Sequence, residues 1–422
     1  MPSEHGVWNN VAVSNALSNG FNDGVETWSE SLKESGYQLY FSGKWHVSDV
    51  ETPGERGFEP TGEKPFKKTF REDRGQRTLD NYRKQDFNAK EEERQPGQIL
   101  RPGYGTYTHY GVTENPFNDQ GKVNDAIDQL NKLDELNPWC MYVGTLGPHD
   151  PYFVPQKFLD LYPIEDIELP KSYMDDFSSR PNLYQRTRDR FSQLSDHEHK
   201  VSIQHYLAFC SYEDALFGQL LEALKKKGCV DNTMVIYLSD HGDYMAEHGL
   251  WCKGLPCFKG AYHIPCLMRW PNGISNPGRD VDEFIGLQDF APTFTEIAQS
   301  KSLSHVSGSS LMPFLKHEVP KAWRQEYHTQ SNGNELYGIQ RSVTNTDFKL
   351  VYNGFDFDEL YHLQEDPEEM VNLINKPEFK PVVKELYQKL WKHAFEHDDQ
   401  CINPYIMVAL AEYGPGVQFM ES

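Results

Sequence analysis

With 422 residues, 38% of them hydrophobic and 13% aromatic, the chain carries enough apolar material for a large core spread over roughly two or three domains. Its 63 acidic against 41 basic residues give a formal net charge of −22, so its average field repels polyanions and argues against nucleic acid as a partner. No stretch approaches the roughly 20 apolar residues of a membrane span, and the N-terminal "MPSEHGVWNN" has no basic region followed by an apolar one, so neither a membrane nor an export signal is expected. The seven cysteines are scattered and never spaced as CxxC, which predicts reduced thiols and a cytoplasmic location.

In chain order, the apolar run "YQLYF" predicts a strand, and "SGKWHVS" follows it. Lys44 and His46 alternate there at strand spacing, so both can face one side of a sheet; an exposed lysine and a histidine packed on Trp45 fit the same pattern. Residues 61–118 are rich in Arg, Lys, Glu, Gly and Pro with weak periodicity, and read as an excursion over the surface. The basic run "EKPFKKTFR" within it is balanced by acidic "AKEEER", as in a mixed-charge solvated loop. "CMYVGTLG" (residues 140–147) is a continuous apolar run of the kind that forms a buried parallel strand. His149 and Asp150 follow it between two prolines that stiffen the turn, which suits a functional loop or a plain surface turn.

Residues 199–227 predict a long helix with Leu207, Cys210, Phe217, Leu221 and Leu224 on one face and "KKKG" as its basic last turn and stop. A second buried strand is expected in "MVIYLSD" (residues 234–240), another in "CLMRW", and strand, turn and helix in "FIGLQDFAPTFTEIA" (residues 284–298). The alternation of helix with buried strand is the α/β signature. After "KAWRQEYH" come "FKLVYN", "ELYHL" and a helix near residues 382–397. This divides the chain into an α/β domain over residues 1–324 and a small α+β domain over residues 325–422.

In open α/β sheets functional groups gather at the carboxyl ends of strands, where Asp240 and His241 leave "MVIYL". A carboxylate beside an imidazole makes half of a metal site, the imidazole tilting the choice from calcium towards manganese or zinc; an Asp-His-Gly turn that only caps the strand fits equally. Three polar clusters after three apolar runs suggest one site assembled from several strand ends.

"SGYQLYFSGKWHVS", "GPHDPYF" and "NTMVIYLSDHGDYMAEHGLWCKG" resemble three successive blocks of the sulfatase family, and "ELYHLQEDPEEMVNLI" resembles its C-terminal strand and DPxExxNL turn. The resemblance implies an alkaline-phosphatase-like α/β/α sandwich with a mainly parallel sheet, a small C-terminal α+β domain, and metal-dependent hydrolysis of a sulfate ester. In the family a formylglycine, made from Cys or Ser within C/S-x-P/A-S/A-R, stands beside a divalent cation. By matched motif, Asp240 and His241 are implied metal ligands, Lys44 and Lys253 hold sulfate oxygens, His46 supports the nucleophile, and His149 contacts sulfate or leaving-group oxygen. Calcium is the implied ion, with manganese the alternative because His241 stands where many members have Asn. His248 is assigned a structural role. Fixed cations and a donor near the leaving group are what sulfate-ester cleavage requires.

The implied substrate is a small or oligosaccharide sulfate ester. Phosphomonoester or phosphonate hydrolysis, and a non-catalytic binding subunit, are the alternatives. No cysteine or serine lies in the C/S-x-P/A-S/A-R context, and nothing before Lys44 resembles the acidic ligand pair of the family's first strand. "MPSEHGVWNN" resembles the segment after the family's nucleophile helix. The expectation is a sulfatase chain lacking its first strand and nucleophile helix, inactive as it stands and suited to a complementing N-terminal fragment.

Overall fold

The computed structural model describes residues 1–9, 20–67, 94–101, 105–134, 136–333, 337–399 and 411–420. Helix α1 (Trp28–Glu34) begins at Thr27, whose amide donates to Glu30 Oε2 at 3.0 Å and completes a capping box. Strand β1 (Gln38–Gly43), buried from Leu39 to Ser42, lies parallel to β2 (Glu59–Pro60) on one side and β6 (Trp139–Gly144) on the other. This gives the mainly parallel sheet of the α/β domain.

The described part of residues 61–118 is more integrated than a surface excursion. Strand β3 (Gln98–Arg101) pairs with β4 (Gly105–Thr108), and β5 (Tyr110–Val112) runs parallel to β7 (Tyr152–Val154). Ile99 and His109 are wholly buried. Weak apolar periodicity is offset by polar pairing: Glu198 accepts from Arg94 Nη1 at 2.7 Å and from the Gly97 amide at 2.8 Å, which pins this stretch to a helix start. The second half of the basic run at 63–71, residues 68–71, and all but the last residue of the acidic run at 89–94 lie outside the described residues.

Helix α2 (Asp119–Lys132) packs on α3 (Asp196–Lys227), a 32-residue helix started by the Ser195–Glu198 capping box and ended at Gly228. Of the expected stripe only Leu224 is buried; Leu207, Cys210, Phe217 and Leu221 are half-buried. The buried face carries Ile203, Ala208, Phe209, Tyr212, Leu216 and Ala223 instead. The helix meets β5, β7 and α2 on successive turns, so its covered surface winds round it and no single stripe describes it.

Strand β8 (Val235–Leu238) also departs from expectation. It pairs antiparallel with β9 (Cys266–Arg269) and is half-buried. Val235 packs into the cluster of Tyr40, Leu130 and Leu224, while Ile236 and Leu238 lie against Phe290, Leu311 and Phe314. Strand β6 is similarly half-covered, with Tyr142 45% exposed. Residues 284–286 form no strand: buried Asp289 accepts from the Gly286 and Ser309 amides, each at 2.8 Å, and from both Arg324 guanidinium nitrogens at 2.6 Å, which folds the segment into a turn before α4 (Phe290–Ile297).

The last part is an antiparallel meander of β10 (Tyr327–Gly333), β11 (Tyr337–Thr344), β12 (Phe348–Asn353) and β13 (Glu359–His362). Helix α5 (Lys380–Glu396) covers one side, packing Val383, Leu386, Leu390 and Trp391 on Val343, Leu350 and Leu360. Among the described residues the six cysteines are free thiols, and no helix is long and apolar enough to cross a membrane.

A buried ionic cluster ties this meander to the α/β part. Arg180, wholly buried, donates to Asp175 Oδ2 at 2.9 Å, to the Tyr361 hydroxyl and to the Glu369 carbonyl, with its guanidinium 5.3 Å from the Phe258 ring centre. His248 Nδ1 meets Asp175 Oδ2 at 2.8 Å and its ring stacks on Phe258 at 3.8 Å, which accounts for this histidine structurally. Burial raises the Asp175 carboxyl, but His248 and Arg180 outweigh it and hold the pKa below the usual value. Replacing Arg180 by Met leaves the Asp175 and Glu359 carboxylates without their cation. Urea unfolding of Arg180→Met should show a loss of about 3–5 kcal/mol; an unchanged midpoint would remove this cluster from the interactions that hold the two parts together.

Candidate functional site

The site begins where β1 ends. Gly43 has φ of 97°, and a Cβ there would stand 1.8 Å from the Gly144 carbonyl oxygen, so only glycine lets the ends of β1 and β6 approach this closely. The Lys44 amide donates to that same oxygen at 2.8 Å. Lys44 and His46 therefore sit in the loop beyond the strand, not on the strand as their alternation predicts, and the Trp45 indole anchors the loop by donating to the Glu51 carbonyl at 3.1 Å.

After β6 the chain turns through Leu146 and Gly147 to His149, whose amide donates to the Leu146 carbonyl at 3.0 Å. His149 Nδ1 lies 2.8 Å from the Asp150 carbonyl and 3.0 Å from Asp150 Oδ1. Burial raises the Asp150 carboxyl, but bonds from His149, the Tyr107 hydroxyl and the Cys252 thiol outweigh it and keep the group ionised well below the usual range.

At the end of β8, Asp240 and His241 emerge on the same side. Asp243 then organises the return loop, accepting from the Tyr152 hydroxyl at 2.6 Å and from the Met245 and Cys252 amides at 2.9 and 3.0 Å. Burial pushes its pKa up to about 6. The loop brings Lys253 back towards the strand ends.

All six residues singled out in the sequence line one cavity of about 2070 Å³: Lys44, His46, His149, Asp240, His241 and Lys253. Lys44 Nζ pairs with Asp240 Oδ2 at 3.0 Å, Lys253 Nζ lies 2.8 Å from His149 Nε2, and the rings of His149 and His241 are 5.8 Å apart. Because an ammonium can only donate, the Lys253 contact makes His149 Nε2 the acceptor and leaves Nδ1–H for Asp150. Desolvation, then the cations of Lys44 and Lys253, lower the His46 pKa. For Asp240 desolvation works upward, but His241 and Lys44 prevail and lower it.

His241 offers a direct test of whether a cation fits. Its Nδ1 contacts the Gly242 carbonyl at 2.8 Å, so the hydrogen sits on that nitrogen and Nε2 carries a lone pair. Nε2 is buried with no hydrogen-bond partner and lies 3.6 Å from Asp240 Oδ1. One carboxylate and one imidazole thus converge as two donors for a divalent ion. Among the described residues no group of three or more His, Cys, Asp or Glu side chains completes a coordination shell. The formylglycine has no fitting residue, since the C/S-x-P/A-S/A-R context is absent from the 422 residues.

Sequence reasoning missed the supports of the His149 turn. Tyr107, which bonds Asp150 at 2.5 Å, comes from the stretch read as a surface excursion. Asp119 bonds the amides of Leu146 and Gly147 from the first turn of α2, where nothing local distinguishes it from an ordinary acidic helix start.

Lysines and imidazoles converging at strand ends of an α/β domain make a site suited to a tetrahedral oxyanion, as in hydrolases of the alkaline-phosphatase-like fold. The sequence profile of the Sulfatase family matches residues 1–300, and that of the N-sulphoglucosamine sulphohydrolase C-terminal region matches residues 246–396. The chain belongs to the sulfatase family. It is 29% identical over 407 residues to a choline-sulfatase of Rhizobium meliloti, covering 89% of this chain and 71% of that protein. Among solved structures, a protein in complex with its substrate D-glucosamine-2-N,6-O-disulfate superposes with a TM-score of 0.67 at 21% identity, over 94% of this chain and 88% of the other. The phosphonate monoester hydrolase of Agrobacterium radiobacter gives a TM-score of 0.73 at 20% identity, over 94% and 84%.

Burial, reinforced by Lys253, lowers the His241 pKa to about 4 from an ordinary 6.5. A histidine depressed in the folded state contributes stability above its unfolded pKa, and that contribution is lost as pH falls from 6.5 towards 4. The thermal midpoint should therefore drop over that interval, and His241→Asn should flatten part of the drop. Superimposable profiles for the two proteins would show that His241 is not desolvated in this way.

Proposed function

We propose that this chain provides the anion-binding half of a sulfate-ester hydrolase, with Lys44 and Lys253 contacting the sulfuryl oxygens and His149 contacting the leaving-group oxygen. The observation that carries the reading is the convergence of these three side chains with Asp240 and His241 at one cavity. As point charges, the two ammonium groups oppose the negative charge that builds on the sulfuryl oxygens. Through the Asp150 contacts, His149 is held by its Nδ1 so that Nε2 faces the cavity beside Lys253. His46, which feels the charge of the same two lysines, is assigned to the nucleophile side.

Asp240 and His241 are the residues we assign to a divalent cation, calcium first and manganese second because an imidazole is a better ligand for the latter. Such an ion supplies Lewis-acid stabilisation of the bound anion. Lys44, which neutralises Asp240 here, would have to yield part of that contact when the ion binds. The C/S-x-P/A-S/A-R context is absent from these 422 residues, so on this reading they do not themselves supply the formylglycine nucleophile. The chain assayed alone with an aryl sulfate and calcium or manganese is expected to give no turnover above a Lys253→Ala control.

For substrate class we take a small or oligosaccharide sulfate ester, in line with the neighbour solved in complex with D-glucosamine-2-N,6-O-disulfate and the choline-sulfatase relative. Free cysteines support a reducing compartment.

Calorimetric titration with inorganic sulfate tests the anion site without requiring turnover. Removing either Lys44 or Lys253 should weaken binding about tenfold, or ~1.4 kcal/mol. Equal affinity in wild type, Lys44→Ala and Lys253→Ala would exclude this assignment. Lysine point charges accept any tetrahedral oxyanion, so phosphonate monoesters form the second reading. Competition of sulfate and methylphosphonate for the same titration separates the two, and tighter binding of sulfate is expected.

A further inference from the structure

Beneath the His149 turn lie two buried carboxyl groups, Asp119 at 0% exposed and Glu213 at 5%. Asp119, in the first turn of α2, is surrounded by donors: the Leu146 amide at 3.1 and 3.2 Å, the Gly147 amide at 2.9 Å, and its own helix's Lys122 Nζ at 2.7 Å. Glu213, in the middle of α3, is placed very differently. No donor reaches its Oε1; the Thr145 hydroxyl donates to the group, and the Asp119 carboxylate stands against it. The fit is close, because a Cβ at Gly147 would stand 2.2 Å from Glu213 Oε1 and 2.4 Å from Phe209 Cε2. A side chain at Gly147 would have to displace both Glu213 and the Phe209 ring.

Two ionised carboxylates have only acceptors to offer each other, so a buried pair needs a proton. Asp119, with an ammonium and two amides on it, is the member that keeps its charge. Glu213, with an empty acceptor against it, is the member that takes the proton. We propose that Glu213 is a positioning residue: as a neutral acid it donates a hydrogen bond to Asp119, and Asp119 in turn holds the Leu146 and Gly147 amides that fix the turn carrying His149. Burial, followed by the Asp119 charge, pushes the glutamate up to about 8, in keeping with this role. The charged and titratable groups facing it are Asp119 and Lys122 from α2, Tyr237 from β8, and Cys210 and Tyr212 from its own helix. Of these only Lys122 is cationic, and it already serves Asp119.

The consequence is a pH limit on the turn. A carboxyl raised in the folded state contributes stability below its unfolded pKa of 4.5, and that contribution is lost as pH rises towards 8. Above that point both carboxylates are charged, they repel, and the grip on the Leu146 and Gly147 amides loosens. The proposal concerns the geometry of the turn, and it rests on the sulfatase reading only in what His149 is positioned for.

Hydrogen exchange at the Leu146 and Gly147 amides tests it in the full chain without any turnover, so its outcome is independent of whether the protein hydrolyses sulfate esters. In Glu213→Gln the carboxamide donates to Asp119 at every pH. The ratio of wild-type to Glu213→Gln exchange rates should be near one at neutral pH and rise several-fold as pH passes about 8. Infrared difference spectra of the two proteins near neutral pH should contain a carboxylic-acid stretch belonging to the wild type. A ratio that stays flat, or a difference spectrum with no such band, overturns the proposal. Should Glu213→Gln fail to fold, the wild type alone decides: exchange at those two amides, relative to the buried Leu216 amide of α3, either accelerates across pH 8 as required or does not.

Discussion

The distance between two strand ends governs this molecule, and apolar packing on one pair of helices sets it. Strands β1 and β6 belong to one sheet and β8 to another, so no ladder of hydrogen bonds among the described residues fixes their separation. What does is the cluster in which Tyr40 of β1, Met141 of β6 and Val235 of β8 all meet Leu130 of α2 and Leu224 of α3. Full burial of such a side chain is worth roughly 1.5–3 kcal/mol, and Tyr40, Leu130 and Leu224 are buried while Met141 and Val235 are half-buried. With the helices in place, the carboxyl ends of all three strands open on one cavity, and Lys44, His149 and Asp240 follow from that.

Electrostatics completes what packing begins. A chain of net charge −22 still brings Lys44 and Lys253 together with His46, His149 and His241 in one cavity, because each cation is held by a local partner and not by the average field. Lys44 rests on Asp240, and Lys253 on His149. The pairing also explains why His46 and His241 are depressed: desolvation acts on both, and the lysines reinforce it. Two neutral imidazoles beside two ammonium groups can accept a proton or a metal, or bind an anion, without first shedding a charge.

The residues most legible in the sequence were those at strand exits, where an apolar run stops and polar side chains begin. Five of the six candidate residues stand at such exits, whereas Lys253 came from the motif resemblance alone, and all six line one cavity. The face of α3 was not legible. Its periodic leucines at 207 and 221 are only half-buried, whereas Ser202, His205 and Glu213 are buried, because the helix is covered by different partners on successive turns. Nor was the role of residues 98–112, where Ile99, Tyr107 and Tyr110 reach a core cluster at no regular spacing and the Arg94–Glu198 pair pins the first strand.

The order of strand, loop and helix, the placing of lysines and histidines at strand ends, and membership of the sulfatase family were determined by the sequence itself, since each rests on local apolar runs or on contiguous motifs. Which strands pair, how far apart the two sheets lie, and that Asp119 and Glu213 meet under the His149 turn were decided only in the tertiary structure. Those contacts join residues tens of positions apart, and a buried carboxyl looks in sequence like a solvated one. Its meaning depends on whether water or another carboxylate lies beside it.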